Sequence, residues 1–220
     1  MFIDPSISYK TYDFDQRKLR RISNCINLPI AKENLTLFKK IMDENDVTFF
    51  LLYGTLLGAV REQNFIKHDT DTDLGILDFD RFKFINAIPQ LIKSGFEIIR
   101  TKAPDDLVTF MRHDEYIDVG IFSNKRLGFC NYFKYQNNLI DKYFLENLDE
   151  IQFLGLTFKI PSNVDEFLVK NYGKDWNFSQ TGEPALPLGT FNIIHRFRRK
   201  LLKTKTGMIL KSIYNRFRSK

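Results

Sequence analysis

Three aspartates at alternate positions, Asp69, Asp71 and Asp73, are the residues of this sequence with the clearest chemical potential. In an extended chain, alternate side chains lie on the same face, so we expect these carboxylates to converge. Grouped carboxylates repel one another unless a cation neutralises them, and a set of oxygen ligands favours a hard ion such as Mg²⁺, with Mn²⁺ as the alternative. The spacing therefore predicts a divalent-metal site, for which a solvated acidic turn is the competing interpretation.

Two features elsewhere in the chain support a metal site. Upstream, Gly54 and Thr55 follow a continuous apolar run at 47–53. The glycine lets a phosphate approach the backbone, and the threonine can donate from both its amide and its hydroxyl. Downstream, Asp118 lies between an isoleucine and a valine in a strand pattern. A carboxylate in that position needs solvent or a partner, and we expect a metal ion shared with the aspartate cluster to be that partner.

Apolar patterns predict the elements that position these residues. After Pro29, side chains at helical spacing predict a first helix, whose buried face comprises Ile30, Leu37, Phe38, Ile41 and Met42. Further helices are predicted at 80–95, interrupted at Pro89, and at 163–173, with an Asn or Ser cap and a terminating Gly173; a short helix or turn is expected at 55–61. Short apolar runs predict strands at 47–53, 73–79, 96–100, 107–112, 115–122, 127–135 and 156–161. This order is typical of an α+β domain around a mixed sheet.

The charge distribution separates the end of the chain from the rest. The chain has 220 residues and a formal net charge of +6, but ten of its 33 lysines and arginines, and none of its 27 acids, lie between His195 and Lys220. Apolar side chains interleave with these cations, a pattern typical of an amphipathic helix on an anionic membrane surface. Nucleic acid attracts the same charges, but the apolar interleaving makes it the less favoured partner. We therefore interpret 195–220 as a basic amphipathic tail.

The composition excludes several classes of protein. Hydrophobic residues make up 43% of the chain and include 22 phenylalanines, which excludes disorder throughout. Two cysteines provide no disulfide framework and fit a reducing compartment. No apolar run approaches the roughly 20 residues that span a bilayer, and the first ten residues lack a signal pattern. We expect a cytoplasmic protein, peripheral on the inner face of the membrane through its tail.

The stretch YGTLLGAVREQNFIKHDTDTDLGI resembles the signature of the LicD and fukutin family within the nucleotidyltransferase-fold superfamily. That signature has a Gly–Gly/Ser/Thr pair, then Asp-x-Asp, then a third acid on a neighbouring strand. Gly54 and Thr55, Asp71 and Asp73, and Asp118 match these positions in order. A second stretch, IPSNVDEFLVKNYGKDW, is similar to a motif near the family's C-terminal end. The resemblance covers residues 28–180 and implies a nucleotidyltransferase-like mixed sheet flanked by helices.

The sequence departs from the family pattern at one place. Family members often read Trp-Asp-Asp-Asp-Ile-Asp, whereas this chain has Lys67-His68-Asp69-Thr70-Asp71-Thr72-Asp73, with a continuation closer to the fukutin side. The departure bears on the transferred group and leaves the expected metal ligands in place. The domain that the resemblance implies extends over 1–194, with an N-terminal arm at 1–26, ahead of the tail at 195–220.

The resemblance implies a phosphotransferase that moves phosphocholine, ribitol phosphate or glycerol phosphate from a CDP-linked donor to a hydroxyl of a glycan, such as lipopolysaccharide or capsule. It implies metal ligands at three aspartates, Asp71, Asp73 and Asp118. Contacts with the donor phosphates are expected from Gly54, Thr55 and Arg61, although Arg61 fits a surface ion pair equally well. Asp118, or Asp69 in second place, is expected to accept the proton of the attacking hydroxyl.

Two other functions fit part of the pattern. A glycosyltransferase with an Asp-x-Asp metal site would use a nucleotide sugar, but it leaves the Gly–Thr pair and Asp118 without a role. A non-catalytic binding module with the same fold would need none of the carboxylates. Among the other candidates, Tyr172 and Trp176 fit either base stacking or the core, and His68 and His113 fit structural or exposed positions.

Overall fold

Short strands and connecting helices assemble into one mixed sheet. The computed structural model describes residues 25–102, 107–136 and 138–178, so most of the predicted N-terminal arm and the whole predicted tail at 195–220 lie outside the described residues. In chain order the elements are α1 (Leu28–Glu44), β1 (Phe49–Leu51), α2 (Tyr53–Arg61), β2 (Thr72–Leu77), a 3₁₀ turn (Asp78–Asp80), α3 (Arg81–Lys93), β3 (Glu97–Lys102), β4 (Leu107–Arg112), β5 (Glu115–Leu127), β6 (Cys130–Tyr135), β7 (Asn138–Asp141), α4 (Tyr143–Glu146), β8 (Asp149–Phe153), β9 (Leu156–Ile160) and α5 (Val164–Tyr172).

The sheet combines parallel and antiparallel pairs. Its strands lie in the order β3-β4-β5-β2-β1-β9-β8, and β6 pairs with both β5 and β7. The pairs β2–β5 and β1–β9 are parallel, whereas β1–β2, β3–β4, β4–β5 and β8–β9 are antiparallel. Helices α1 and α3 contact each other, and α1 contacts β5. The predicted α+β class, with a mixed sheet flanked by helices, is confirmed.

Helix α1 begins where the sequence indicated and buries three of the five residues predicted for its core face, Phe38, Ile41 and Met42. The Asn27 side chain accepts a hydrogen bond from the Ile30 N–H at 3.4 Å, and the proline lies in the first turn. Ile30 and Leu37 of the predicted face are only half-buried. The buried stripe follows helical periodicity from its first residue and comprises Ala31, Asn34, Leu35, Phe38, Ile41 and Met42.

Aromatic side chains fill the space between the helices and one face of the sheet. The Phe38 ring lies 5.5 Å from that of Phe49, 6.4 Å from that of Phe96 and 6.1 Å from that of Phe110, measured between centroids. Phe84 of α3 meets Phe110 edge-on at 6.1 Å. Burying such a side chain contributes about 1.5–3 kcal/mol. This core fixes the central strands, and therefore also the side chains on their opposite face.

The opposite face carries a second aromatic layer, which requires two glycines. A Cβ on Gly75 would collide with the Phe50 ring, and a Cβ on Gly120 would lie 3.0 Å from the Tyr135 ring. Gly75 and Gly120 are register partners on β2 and β5. The Phe122 ring lies 5.8 Å from that of Phe50 and 5.1 Å from that of Tyr135. These rings therefore cover the strand positions two residues beyond Asp73 and Asp118.

The structure corrects several predicted elements. Helix α3 runs through Pro89, because its apolar face is buried on both sides of the proline. The predicted strand at 127–135 is divided by a turn at Gly128, where φ is 61°. The predicted strand at 47–53 is reduced to β1, since Tyr53 already begins α2, and that helix replaces the predicted helix or turn at 55–61. Strands β7 and β8 and helix α4 had no counterpart in the sequence prediction.

Helix α5 has the predicted end but not the predicted cap. It ends at Gly173, whose φ of 97° suits glycine. Asn163 precedes the helix at φ 51°, and its side chain makes no capping hydrogen bond among the described residues. Across residues 25–102, 107–136 and 138–178, no helix is both long enough and apolar enough to cross a bilayer.

Candidate functional site

Asp71, Asp73 and Asp118 form one cluster at the end of the central strands. One carboxylate oxygen of each lies within 4.8 Å of those of the other two. Asp73 and Asp118 are register partners in the parallel pair β2–β5 and therefore lie side by side on the same face. Asp71 lies just before β2, two residues from Asp73. The structure thus brings the three predicted metal-ligand residues together.

The start of helix α2 holds Asp73 in place. The Asp73 N–H donates to Thr55 Oγ1 at 2.9 Å, and the Leu52 N–H donates to the Asp73 carbonyl at 3.1 Å. The Gly54 backbone N–H lies close enough to the Asp73 carboxylate to act against the rise in its pKa. Thr55 is fully buried. The hydroxyl that the sequence assigned to a donor phosphate therefore accepts a backbone hydrogen bond and positions β2.

Gly54 lies directly against the Asp69 carboxylate. A Cβ at position 54 would collide with Asp69 Oδ2, so this approach requires glycine. The other oxygen, Asp69 Oδ1, accepts the Thr70 N–H at 3.0 Å, and the Asp69 carbonyl accepts the Ile26 N–H at 2.8 Å. The predicted phosphate cradle thus faces a carboxylate, and a phosphate that binds at Gly54 requires the Asp69 side chain to move.

Burial and mutual repulsion favour protonated carboxyl groups in the cluster. Burial, followed by the charges of Asp69 and Asp118, raises the pKa of Asp71 to about 7. Burial, followed by the charge of Asp71, raises the pKa of Asp73 well above its ordinary value. Burial also raises the pKa of Asp69. A site that retains protons for these reasons is one in which a bound cation would stabilise the ionised carboxylates.

Two residues that the sequence analysis missed, Arg100 and Thr109, contact Asp118. Thr109 Oγ1 donates to Asp118 Oδ1 at 2.5 Å, and Arg100 Nη2 forms an ion pair with Asp118 Oδ2. Both residues lie in segments that were predicted as strands, at 96–100 and 107–112. Each is a polar residue in a predicted strand, a signal that marks it as a candidate partner for a buried carboxylate but does not show which carboxylate it contacts.

Tyr172 near the end of α5 brings a hydroxyl to the same region. Its Oη is buried and has no hydrogen-bond partner within the described part of the chain. Burial, followed by the charges of Asp73 and Asp69, raises the pKa of Tyr172 well above its ordinary value, so the ring lies within electrostatic reach of both carboxylates. Buried polar groups are nearly always paired. The unpaired hydroxyl therefore indicates that a ligand or ordered water belongs beside the cluster.

The remaining candidates lie away from the cluster or have structural contacts. Arg61 Nη2 pairs with Glu62 Oε1 at 2.6 Å, and Arg61 Nη1 donates to the Trp176 carbonyl at 3.4 Å. Arg61 therefore links α2 to the segment after α5, in agreement with its ion-pair interpretation, and its contact with a phosphate stays a prediction. His68 and His113 are exposed.

The clustered residues fit a hard divalent cation. The three aspartates all offer carboxylate oxygens, which Mg²⁺ and Mn²⁺ prefer. Mg²⁺ usually binds a few carboxylates together with water and substrate phosphate. Such an ion would offset the burial and repulsion that raise the pKa of Asp71, and one of its water ligands would provide a partner for the Tyr172 hydroxyl.

A family model described as LicD/FKTN/FKRP, nucleotidyltransferase domain, matches residues 46–163. The match covers more than half of the chain and includes the whole aspartate cluster. The chain belongs to the LicD/FKTN/FKRP family. The family resemblance drawn from the sequence is therefore confirmed, and the match begins just before β1 and ends at the residue before α5.

Two rickettsial proteins are similar to this LicD/FKTN/FKRP chain. The uncharacterized protein RT0683 of Rickettsia typhi (strain ATCC VR-144 / Wilmington) is 29% identical over 157 residues, which cover 64% of this chain and 47% of the relative. The uncharacterized protein RP689 of Rickettsia prowazekii (strain Madrid E) is 32% identical over 101 residues, which cover 43% of this chain and 35% of the relative. The chain thus matches less than half the length of these curated relatives.

Two solved structures of the antibiotic-resistance factor ANT(2'')-Ia are also similar to the LicD/FKTN/FKRP chain. The solution structure matches with a TM-score of 0.46 and 11% identity, over 86% of this chain and 92% of that chain. The crystal structure in complex with adenylyl-2''-tobramycin matches with a TM-score of 0.45 and 12% identity, over 86% and 98%. Similarity at this level carries no functional conclusion.

Proposed function

We propose that this protein is a metal-dependent phosphotransferase, which moves a phospho-alcohol from a CDP-linked donor to a hydroxyl of a cell-surface glycan. The observation that carries the proposal is the convergence of Asp71, Asp73 and Asp118 within 4.8 Å on in-register strands. Membership of the LicD/FKTN/FKRP family supports a transferase. The absence of a Cβ at Gly54 leaves room that the Asp69 carboxylate occupies, and the proposal requires a donor phosphate to take its place.

In this proposal the three aspartates hold Mg²⁺ or Mn²⁺. A bound ion would supply Lewis-acid stabilisation of the negative charge on the phosphoryl oxygens. The protein's own contribution is to hold the ligands in fixed positions. Thr55 and Gly54 hold Asp73, and Thr109 and Arg100 hold Asp118.

The proposed transfer exchanges one P–O bond for another. The acceptor hydroxyl oxygen bonds to the phosphorus that carries the alcohol, the bond from that phosphorus to the bridging oxygen breaks, and CMP leaves. The hydroxyl proton passes to a carboxylate. We assign this step to Asp69, the second of the two residues that the sequence offered, because both Asp118 oxygens already accept hydrogen bonds from Thr109 and Arg100.

In this proposal the phosphates of the CDP-linked substrate bind at the backbone of Gly54 and Thr55. The Arg61 side chain and the Tyr172 hydroxyl donate further hydrogen bonds to them. The unpaired Tyr172 hydroxyl supports this placement. Because the Asp69 carboxylate occupies the space over Gly54, donor binding would displace it. The displaced carboxylate then becomes available to the acceptor hydroxyl.

The proposal also covers the transferred phospho-alcohol, the acceptor glycan and the place of the enzyme in the cell. Phosphocholine, ribitol phosphate and glycerol phosphate are the cargoes that the family resemblance implies, and lipopolysaccharide or capsule glycan is the acceptor. A lipid-linked acceptor would be reached by a cytoplasmic enzyme that is peripheral on the inner face of the membrane. The basic segment at 195–220 supports that location through its charge.

The test incubates the purified protein with CDP-choline, CDP-ribitol or CDP-glycerol, a panel of oligosaccharides and Mg²⁺, and detects the products by mass spectrometry. We expect CMP and a glycan that is heavier by one phospho-alcohol, and we expect both to be lost in EDTA. Asp73→Asn should abolish turnover, because it removes a ligand. The matched control Asp114→Asn changes an exposed aspartate at φ 61°, which asparagine tolerates, and should retain full turnover.

Two results would overturn this proposal. Transfer of a sugar from a UDP-sugar, with no reaction of any CDP-alcohol, would indicate a glycosyltransferase. Turnover that Asp73→Asn and Asp118→Asn both leave unchanged would show that the cluster performs no chemistry.

A further inference from the structure

We propose that Thr109, oriented by Arg100, is a positioning residue that fixes the Asp118 carboxylate for metal binding. The inference rests on the proposed metal site and goes beyond it, because it assigns a role to two residues outside the ligand set. It predicts that metal affinity depends on a hydroxyl group that is not itself a ligand.

The sheet lines these residues up in a row across four adjacent strands. Arg100 on β3 is the register partner of Thr109 on β4, Thr109 is the partner of Asp118 on β5, and Asp118 is the partner of Asp73 on β2. Register partners share a face of the sheet, and neighbouring strands lie about 4.8 Å apart. The row therefore leads from a guanidinium, through a hydroxyl, to the aspartate cluster.

An irregularity in β3 brings Arg100 into this row. Ile98 pairs with Phe110 and Arg100 pairs with Thr109, so one residue of β3 is left over between them. If the register of Ile98 and Phe110 continued without this shift, Arg100 would lie opposite Val108 and its side chain would be on the other face. Bulges of this kind re-aim side chains and occur next to active sites.

The direction of each hydrogen bond in the row follows from the chemistry of the donors. Arg100 Nε donates to Thr109 Oγ1 at 2.9 Å, because a guanidinium has no acceptor. The single proton of Thr109 is therefore directed to Asp118 Oδ1, at 2.5 Å. Arg100 Nη2 donates to the second oxygen, Asp118 Oδ2. These bonds close a ring that holds the carboxylate at both oxygens and restricts its rotation.

Because these residues are buried, the loss of one hydrogen bond among them should have a large effect on metal binding. Thr109 is 0% exposed, and the Asp118 side chain is 15% exposed. Water has little access to replace a lost partner, so removing the hydroxyl leaves polar atoms unpaired. A carboxylate has about four acceptor sites, and two remain for a metal ion once Thr109 and Arg100 are bound. Groups that orient metal ligands in this way typically change metal affinity by about 10–100-fold.

The test compares Mn²⁺ affinity, measured by isothermal titration calorimetry and electron paramagnetic resonance, after removal of metal with EDTA and dialysis. Thr109→Val keeps the branched shape and the zero net charge of the side chain, and it replaces only the hydroxyl with a methyl group. We expect it to weaken Mn²⁺ binding by about 10–100-fold. Thr109→Ser restores the hydroxyl and should return the affinity to within a few-fold of the unmodified protein.

A matched control comes from the other end of the sheet. Thr157 on β9 also accepts a side-chain hydrogen bond, from Gln152 Nε2 at 2.7 Å. Thr157→Val should therefore leave Mn²⁺ affinity unchanged. Arg100→Lys provides a second variant: it keeps the positive charge but lacks the forked donors, and it should weaken Mn²⁺ binding less than Thr109→Val. Circular dichroism in EDTA selects the variants that are folded.

The outcomes separate this inference from the proposed function. An unmodified protein that binds no Mn²⁺ contradicts the metal site itself. An unmodified protein that binds Mn²⁺, with folded Thr109→Val and Arg100→Lys variants of equal affinity, overturns the positioning role alone. Equal weakening in Thr109→Val and Thr109→Ser also overturns it, because the hydroxyl would then not be the determining group.

Discussion

The metal-free protein should lose stability as the pH rises, because its clustered carboxylates resist ionisation. The perturbation is a change from pH 5 to pH 8 in the presence of EDTA. Asp71 has a pKa of about 7 in the folded chain, against an ordinary value of 3.8. Between these values the folded state retains a proton that the unfolded state has released. The contribution of Asp71 to the free energy of unfolding is therefore highest below about pH 4 and falls as the pH rises towards 7.

The magnitude follows from the two pKa values. Their difference corresponds to about 4 kcal/mol, at about 1.4 kcal/mol for each pH unit. Of this, about 2–3 kcal/mol falls between pH 5 and pH 8. Asp73 and Asp69 add effects of the same sign, since burial raises their pKa values as well. Natural domains are stable by about 5–15 kcal/mol, so the decrease is a large fraction of the total.

The assay is urea denaturation of the EDTA-treated protein at pH 5, 6, 7 and 8, followed by circular dichroism. Asp71→Asn removes the titrating group and should reduce the decrease in the free energy of unfolding. Asp114→Asn serves as the control and should keep the full decrease. Added Mg²⁺ should stabilise the unmodified protein more at pH 8 than at pH 5, because proton release no longer opposes binding at the higher pH.

Two results would refute this reasoning. One is an EDTA-treated protein that is as stable at pH 8 as at pH 5. The other is an Asp71→Asn variant whose stability decreases as steeply as that of the unmodified chain, which would place the titrating group elsewhere.

Three further predictions concern residues outside the proposed metal ligands. Gly54→Ala should lower donor affinity without loss of fold, as measured by calorimetry with a CDP-alcohol, because its Cβ would fill the space over the backbone that the donor phosphate takes when the Asp69 carboxylate moves away. Tyr172→Phe should leave the melting temperature unchanged or raise it, since an unpaired buried hydroxyl costs about 1–3 kcal/mol, and should weaken donor binding. Phe38→Ala should lower the free energy of unfolding by about 3–5 kcal/mol and leave the Mn²⁺ affinity of the folded protein intact.

The aspartate cluster could be identified from the sequence because its geometry follows from strand periodicity. Asp71 and Asp73 are two residues apart at the start of a strand, and Asp118 interrupts an apolar strand pattern. These features predict that the Asp71 and Asp73 side chains share a face, but they do not predict how the strand of Asp73 pairs with the strand of Asp118. The pairing of Asp73 with Asp118 joins strands that are distant in the sequence, so it depends on the whole sheet.

The partners of Asp118 could not be predicted in the same way. Regular alternation along 96–100 does not reveal the leftover residue between Ile98 and Arg100, and that residue decides which face Arg100 occupies. Thr109 is one polar residue in an apolar strand, where a hydroxyl is compatible with many environments. Only the three-dimensional pairing shows that it contacts Asp118.

Each error in the predicted helices and strands can be traced to particular residues. Pro89 usually ends or kinks a helix, but tertiary packing of α3 on both sides of it outweighs that preference. The run at 127–135 contains one glycine, which could lie within a strand or in a turn, and the structure places a turn there. Three of the five residues predicted for the buried face of α1 are buried, and the two that are only half-buried, Ile30 and Leu37, lie at the edge of that face.

The parallel pairing of β2 and β5 sets only part of the geometry of the aspartate cluster. The distance between the backbones at Asp73 and Asp118 is set by the spacing of adjacent strands, whereas the direction of the Asp118 carboxylate is set by Thr109 and Arg100, which lie in the connection between those strands. Changes elsewhere in that connection therefore leave the geometry of the aspartate cluster in place only if they spare Thr109 and Arg100.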